Sequence, residues 1–145
     1  MKKQNFKNHV RYYPFHHFIL TPLTLIYLGW TIYNWDFSTS QGLWDGVYNL
    51  IGAIILVLLP FLARIYALNL QNRIILGEIR MRYFHLTGES FEKLENQLKM
   101  GQIVALRFAS DSELLGLIEK AISKKLSPKD IKSSIQDWKG DYRRV

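Results

Sequence analysis

The chain has 145 residues, no cysteine and a formal net charge of +7. The absence of cysteine excludes disulfide bonds and thiolate metal sites. The near-zero mean hydropathy hides an uneven distribution: between Arg11 and Arg64 there is no lysine or arginine, and Asp36 and Asp45 are the only acids. This division predicts a membrane protein whose first half is apolar and whose second half is polar.

The first 16 residues form a basic arm. Its positive charges are Lys2, Lys3, Lys7 and Arg11. Anionic lipid on the cytoplasmic leaflet attracts such residues by about 1 kcal/mol for each well-placed charge. We therefore expect residues 1–16 to form a cytosolic or interfacial arm that contacts membrane lipid, with Arg64 in the same role after the apolar region.

Two apolar segments follow, at residues 17–35 and 46–68. A helix of about 20 apolar residues matches about 30 Å of bilayer hydrocarbon, and both segments are apolar on all sides. They are predicted to be two transmembrane helices joined by a short extracytoplasmic loop at residues 36–45. Asp45 is well placed to cap the second helix, because its carboxylate can accept from free backbone amides.

The orientation follows from the basic residues, which are retained on the cytoplasmic side of a membrane. Basic residues flank the two segments, whereas the connecting loop has none. Both termini are therefore expected in the cytoplasm.

Aromatic residues cluster at both ends of the apolar segments, where a ring can lie in the headgroup layer and still reach water. The predicted interface anchors are Tyr12, Tyr13, Phe15, Trp30, Tyr33, Trp35, Trp44 and Tyr48.

The second helix is predicted to continue through residues 69–87 as a cytosolic extension, with Gly88 as the next strong stop. One face carries apolar residues in steps of three and four, the spacing of a coiled-coil seam. This candidate helix-association seam consists of Phe61, Ile65, Leu68, Asn72, Ile75 and Ile79. The alternative is that the same face packs on the chain's own C-terminal domain.

Residues 88–145 are predicted to form a small helical cytosolic domain. Ser90 can cap a helix that Gly101 closes, and residues 102–109 fit helix or strand, with helix preferred. Ser110 and Glu113 match a capping box at the start of the next helix.

A last helix is expected to begin at Ser127-Pro128 and to end at Gly140. The predicted fold class is therefore all-α, with a two-helix transmembrane hairpin whose second helix extends into a small cytosolic helical domain.

Several strings give the chain a family resemblance. They are Phe15-His16-His17-Phe18 with Leu20-Thr21-Pro22-Leu23, Leu106-Arg107-Phe108-Ala109-Ser110-Asp111, Leu126-Ser127-Pro128-Lys129, and the ending from Trp138 to Arg143. The sequence resembles an uncharacterised family of small bacterial two-pass membrane proteins. This resemblance implies a bacterial inner membrane and a cytosolic tail, and it brings no catalytic residue.

No residue set predicts catalysis, a metal site or a cofactor. His16 and His17 are adjacent, and neighbours on a helix point about 100° apart, so the pair cannot bind one metal together. Acids of the tail lie beside lysines, as on solvated helix faces. Basic residues of the tail alternate with acids, and no nucleic-acid-binding signature is present. We therefore expect neither an enzyme nor a nucleic-acid-binding protein.

The expected function is that of an accessory subunit, anchor or scaffold of an inner-membrane assembly, with the cytosolic helical domain as its interaction surface. Its partners would be other membrane subunits or copies of itself. The alternative is a homo-oligomeric pore or transport-related protein built from several hairpins.

Overall fold

The computed structural model describes residues 4–9 and 12–141. The predicted all-α class is confirmed, since the regular elements of these residues are all helices. They are a π-helical turn Phe15–Leu20 that leads into α1, and then α1 Thr21–Tyr33, α2 Ser40–Thr87, α3 Glu92–Glu95, α4 Met100–Leu106, α5 Asp111–Ser123 and α6 Pro128–Ser134. Contacts divide the chain into two units, residues 11–68 and residues 1–10 with 69–145.

Two helical stretches, Phe15–Tyr33 and Ser40–Thr87, are long and apolar enough to cross a membrane. Few of the residues in their most apolar windows are buried, 0% in the first and 6% in the second. The core helix of a water-soluble protein would be mostly buried, so this exposure favours contact with lipid.

The second helix begins earlier than predicted. Its first residue is Ser40 rather than Gly46, so the connection after α1 is shorter than the predicted loop. Thr39 caps it, because its hydroxyl accepts from the amide of Gly42 at 3.0 Å. The expectation that Asp45 caps this helix is wrong, since Asp45 lies inside α2.

At its other end, α2 runs without a break to Thr87. Gly88 follows with a φ of +74°, and its amide donates to the carbonyl of Phe84 at 2.8 Å. Glycine adopts this left-handed conformation without steric cost, which makes it a common residue after a helix end. Gly88 therefore stops α2, as the sequence predicts.

The predicted helix between Ser90 and Gly101 is divided into two. α3 is a single turn, and α4 begins at Met100, so Gly101 lies inside α4 instead of closing a helix. The side chain of Gln102 accepts from the amide of Lys99 at 2.7 Å and thereby fixes the start of α4. The preference for helix at residues 102–109 is correct as far as Leu106.

The capping box predicted at Ser110 and Glu113 is absent. Ser110 has the extended backbone of a capping residue, but its side chain makes no cap hydrogen bond. Glu113 accepts instead from the amides of Gln136 and Asp137, at 3.2 and 3.1 Å. Its carboxylate thus holds the segment after α6, a partner that lies more than 20 residues away in sequence.

The capping signal at Ser127 is correct. Ser127 accepts from the amide of Asp130, and Asp130 accepts from the amide of Ser127, each at 3.2 Å. The helix is shorter than predicted, however, because α6 ends at Ser134 and Ile135 is extended. The extended segment forms a single antiparallel bridge between Trp138 and Ala109.

One hydrophobic core holds the second unit together. It is built by α2, α4, α5, α6 and the last extended segment, and its largest fully buried side chains are Ile79, Phe91, Ile103, Leu106, Phe108, Leu114, Ile118 and Ile131. α4 and α6 approach closely at Gly101, where an added Cβ would lie 3.2 Å from Pro128. This packing places the residues of the candidate site.

Candidate interaction site

Arg82 connects three helices of the second unit. Its Nε donates to Asp111 Oδ1 at 2.7 Å, and its Nη2 donates to the carbonyl of Ala109 at 2.8 Å. Nη1 reaches the carbonyl of Arg107 at 3.3 Å. The carbonyls after α4 have no partner within that helix, and Asp111 lies in the first turn of α5. Arg82 therefore ties the end of α4 and the start of α5 to α2.

Asp111 is the acidic centre of this junction. Hydrogen bonding from Arg82 is the main reason that the pKa of Asp111 lies below its ordinary value, and the nearby charge of Lys139 lowers the pKa further. The Lys139 Nζ is 3.7 Å from the second carboxylate oxygen. The ionised carboxylate is therefore the form that the folded domain stabilises.

Arg107 is a buried cation close to this junction. Its Nη1 lies 3.5 Å from Asp141 Oδ2, and its guanidinium carbon is 4.5 Å from the centre of the Phe108 ring. A cation over an aromatic face is attracted by the ring quadrupole. Arg107 and Asp141 line a groove of 310 Å³ together with Glu78, Arg82 and Lys139.

The N-terminal arm also packs on this domain, a contact that no sequence pattern predicts. Gln4 is buried, and its Oε1 accepts from the amide of Asp141 at 2.8 Å. The His9 ring lies beside Phe108 and Trp138, with centroid distances of 5.8 and 5.7 Å. The residues just before the apolar region are thus part of the folded domain.

The hydrogen bonds of His9 define its tautomer. Nδ1 lies 2.7 Å from the carbonyl of Phe6, and Nε2 lies 3.2 Å from Lys132 Nζ. Since an ammonium group can only donate, Nε2 accepts and the proton is on Nδ1. The His9 ring is thereby held at both of its nitrogens.

The predicted lipid-binding residues are placed as follows. Lys7 is exposed on the arm, and Arg64 is partly exposed on α2. Lys2, Lys3 and Arg11 lie outside the described residues.

Most predicted interface anchors are exposed. These anchors are aromatic side chains on the surface of residues 12–48. They are Tyr12, Tyr13, Phe15, Trp30, Tyr33, Trp44 and Tyr48. Trp35 differs, because its indole packs on Gly46, where an added Cβ would overlap the ring. A side chain that packs on the chain's own backbone has less surface left for lipid.

The predicted helix-association seam is divided by the structure. Ile75 and Ile79 are buried in the chain's own core. Phe61 and Ile65 are exposed, and Leu68 and Asn72 are partly exposed. The C-terminal end of the predicted seam thus packs on the chain's own domain, which is the alternative interpretation of this face.

A cleft lies beside the connection between α1 and α2. It has a volume of 470 Å³, and its polar lining residues are Thr31, Asn34, Asp36, Asp45 and Asn49. Tyr27, Trp30 and Trp35 provide its aromatic wall.

The paired histidines at the start of the first apolar stretch have local partners. His17 Nδ1 is 3.0 Å from the carbonyl of Tyr13, and the His16 and His17 rings meet edge to face. In the part of the chain that the structure describes, no three His, Asp or Glu side chains are arranged to hold a metal ion.

These features define a class of protein: an all-helical chain with two helices that are candidates for spanning a membrane, and with a separate helical domain that shares α2. The chain belongs to a family of unknown function, DUF6526, whose model matches residues 1–145. No curated protein and no solved structure matches it.

Proposed function

We propose that this protein is a non-enzymatic integral membrane protein that serves as an accessory subunit, anchor or scaffold of a bacterial inner-membrane assembly. Residues 15–68 would form a transmembrane hairpin with both termini in the cytoplasm. The helical domain would be its cytosolic interaction surface.

One observation carries the proposal. α2 runs as a single helix from the exposed apolar segment into the domain, where Ile75 and Ile79 are buried in the core and Arg82 binds α4 and α5. The helix has no break between the apolar segment and the domain, so no flexible linker separates the proposed anchor from the interaction surface. Such a connection suits a part whose task is to hold a partner at the membrane.

The basic residues support the proposed orientation. Exposed Lys7 and partly exposed Arg64 flank the apolar stretch, and the connection between α1 and α2 contains Asp36 and no basic residue. Positive residues at both ends are retained in the cytoplasm and attract anionic lipid.

The topology is tested with reporter fusions that are active only in the cytoplasm. Activity is expected for reporters joined at either end of the chain, and none for a reporter inserted after Phe37. Activity of the inserted reporter would contradict the hairpin.

The scaffold role is tested by purification of the full chain in mild detergent. A stoichiometric foreign membrane protein is expected to copurify. Phe108→Ala, which opens the domain core, should release this partner, whereas Phe37→Ala should retain it, because Phe37 is exposed outside the domain. Purification of the chain without any foreign protein would count against the proposal.

A second candidate is the oligomeric pore or transport-related protein. The observation that favours it is the cleft beside Trp35, where Thr31, Asn34 and Asn49 bring polar side chains to otherwise apolar helices. A ring of identical copies around a water-filled axis would support it. One observation counts against the pore. An ion pathway is usually marked by a charged group within the membrane, but the apolar stretches between Phe15 and Ala63 carry charge only at Asp36 and Asp45, near their connection.

A further inference from the structure

A second apolar stripe on α2 is left uncovered by the domain. It consists of Leu70, Ile74, Gly77, Met81 and Phe84, which we call the exposed stripe. The exposed fractions of its four large side chains are 61% for Leu70, 55% for Ile74, 62% for Met81 and 56% for Phe84. Steps of four and three residues place all five positions on one helix face.

The exposed stripe is distinct from the seam predicted from the sequence. The predicted seam passes through Ile75 and Ile79, which are buried in the chain's own core. The exposed stripe faces away from that core, and the part of the chain that the structure describes leaves its large side chains exposed.

Lipid does not account for this exposure. The exposed stripe is interleaved with Arg73, Glu78 and Arg80, and charged side chains are excluded from bilayer hydrocarbon. A contiguous row of large apolar side chains in water is the mark of a protein contact surface.

The charges beside the exposed stripe indicate which partner it fits. In heptad terms Ile74 and Met81 take position a, and Leu70, Gly77 and Phe84 take position d. Arg73 then takes position g and Glu78 position e, and both are exposed. In a parallel pair of helices, position g of one helix meets position e of the other five residues further on, so Arg73 would meet the partner's Glu78.

The two-fold symmetry of such a pair gives this attraction twice. In an antiparallel pair the g positions of the two helices would instead meet each other. Arg73 and Arg80 of one helix would then lie beside arginines of the other helix, and like charges repel. Charge complementarity therefore favours a second copy of this chain in the parallel direction.

Gly77 lies at the middle of the exposed stripe. Apart from its chain neighbours and the backbone of its own helix, no atom of the described residues lies within 4 Å of the position that its Cβ would occupy. Small residues at such positions allow two helix backbones to approach closely.

We propose that the exposed stripe binds a second copy of this chain, so that residues 70–84 of the two α2 helices form a short parallel coiled coil. The parallel direction rests on the charges beside the exposed stripe and also on the proposed membrane anchoring, because two copies inserted the same way present α2 in the same direction. The contact itself rests only on the face of α2.

Single-cysteine crosslinking tests this contact, because the natural chain has no cysteine and each variant therefore carries one thiol. Ile74→Cys and Met81→Cys place the thiol at position a, and Glu119→Cys is the matched control on an exposed position of α5. The full chain is oxidised in native membranes, and the disulfide-linked dimer is measured on a non-reducing gel.

The dimer fraction at positions 74 and 81 is expected to exceed that of the control at least about five-fold, since facing a positions lie within disulfide reach in a two-stranded coil. Equal fractions at all three positions would overturn the proposal, and so would a crosslinked product with the mass of a different protein. Alkaline extraction of the same membranes reports the anchoring separately, so the two proposals can fail independently.

A charge exchange tests the direction of the pair. In the Met81→Cys background, Glu78→Arg places two arginines opposite each other at both symmetric sites and should lower the crosslinked fraction about three-fold. The double change Arg73→Glu with Glu78→Arg restores opposite charges and should recover the crosslink. If the double variant stays as low as the single one, the parallel pairing is wrong.

Discussion

The two units of this chain solve different physical problems. Residues 12–68 expose large apolar and aromatic side chains along most of their length, whereas residues 69–141, apart from the exposed stripe and a few other side chains, bury theirs in a core flanked by ion pairs and hydrogen bonds. An exposed apolar surface is stable in contact with lipid, whereas in water apolar side chains are stable when they are buried in a core. The comparison supports the proposed membrane anchoring, in which the solvent changes along α2.

The two units also differ in what holds them. In the first unit, the described side-chain hydrogen bonds are short-range, such as Thr31 to the carbonyl of Tyr27. In the second, Arg82 and Glu113 reach partners more than 20 residues away. Substitutions in the second unit should therefore be far more costly to the fold in water.

The largest effect is expected from Phe108→Ala. Phe108 is fully buried and contacts His9 and Trp138. Removing a buried aromatic ring costs about 4 kcal/mol through lost contacts and a residual cavity. Thermal unfolding of the full chain in detergent, monitored by circular dichroism, should show a lower transition temperature for Phe108→Ala. Phe37→Ala should leave the transition temperature unchanged. Equal shifts for the two variants would remove the distinction between the units.

Arg82→Ala should follow, with a loss of about 3 kcal/mol. The change leaves Asp111 and the carbonyls after α4 without their donor, in a site where the arginine side chain is 16% exposed. Arg80→Ala is the matched control. Its ion pair with Glu95 is 46% exposed on the arginine side, and solvent screening leaves such pairs little effect on stability. Urea unfolding of both variants in detergent measures the difference.

Acid should loosen the second unit. The pKa of Asp111 is lowered mainly by its hydrogen bond to Arg82, and the pKa of Asp130 is lowered by hydrogen bonds from Ser127. A lowered pKa means that the folded state binds the proton less readily than the unfolded state does. The resulting stability is complete above the ordinary pKa of 3.8 and is lost as pH falls through the lower folded values.

Tryptophan fluorescence of Trp138 in a variant without the other tryptophans can follow this acid transition. Asp111→Asn should flatten the pH dependence below 3.8, because the amide does not ionise. An unchanged acid transition in that variant would show that Asp111 does not contribute.

The smallest effect is expected from Gln4→Ala, which removes the hydrogen bond to the amide of Asp141 and should cost about 1 kcal/mol. Hydrogen exchange at Asp141 should become faster, while α5 keeps its protection. Lys7→Ala, at an exposed position of the same arm, should leave exchange at Asp141 as it was. Faster exchange throughout the domain would indicate that the arm holds the core as a whole.

Parts of the candidate site were predictable and parts were not. The sequence shows the apolar row through Ile75 and Ile79, which is the face of α2 that packs on the C-terminal domain. It does not show what packs there, because the same periodicity fits a partner helix and a core within the chain. The docking of Gln4 and His9 leaves no local signal, since it depends on contacts with residues more than 90 positions away.

By itself, the sequence determined where charge ends and apolar surface begins, where Gly88 stops α2, and where Ser127 starts α6. These features depend on backbone conformation and on solvent preference, which act over a few neighbouring residues. Only the tertiary structure decided that Glu113 binds the amides after α6 instead of capping α5, and which face of α2 the domain covers. Those outcomes depend on competition among distant groups for the same hydrogen bonds and the same buried surface. A local sequence pattern does not indicate which of these groups forms the contact.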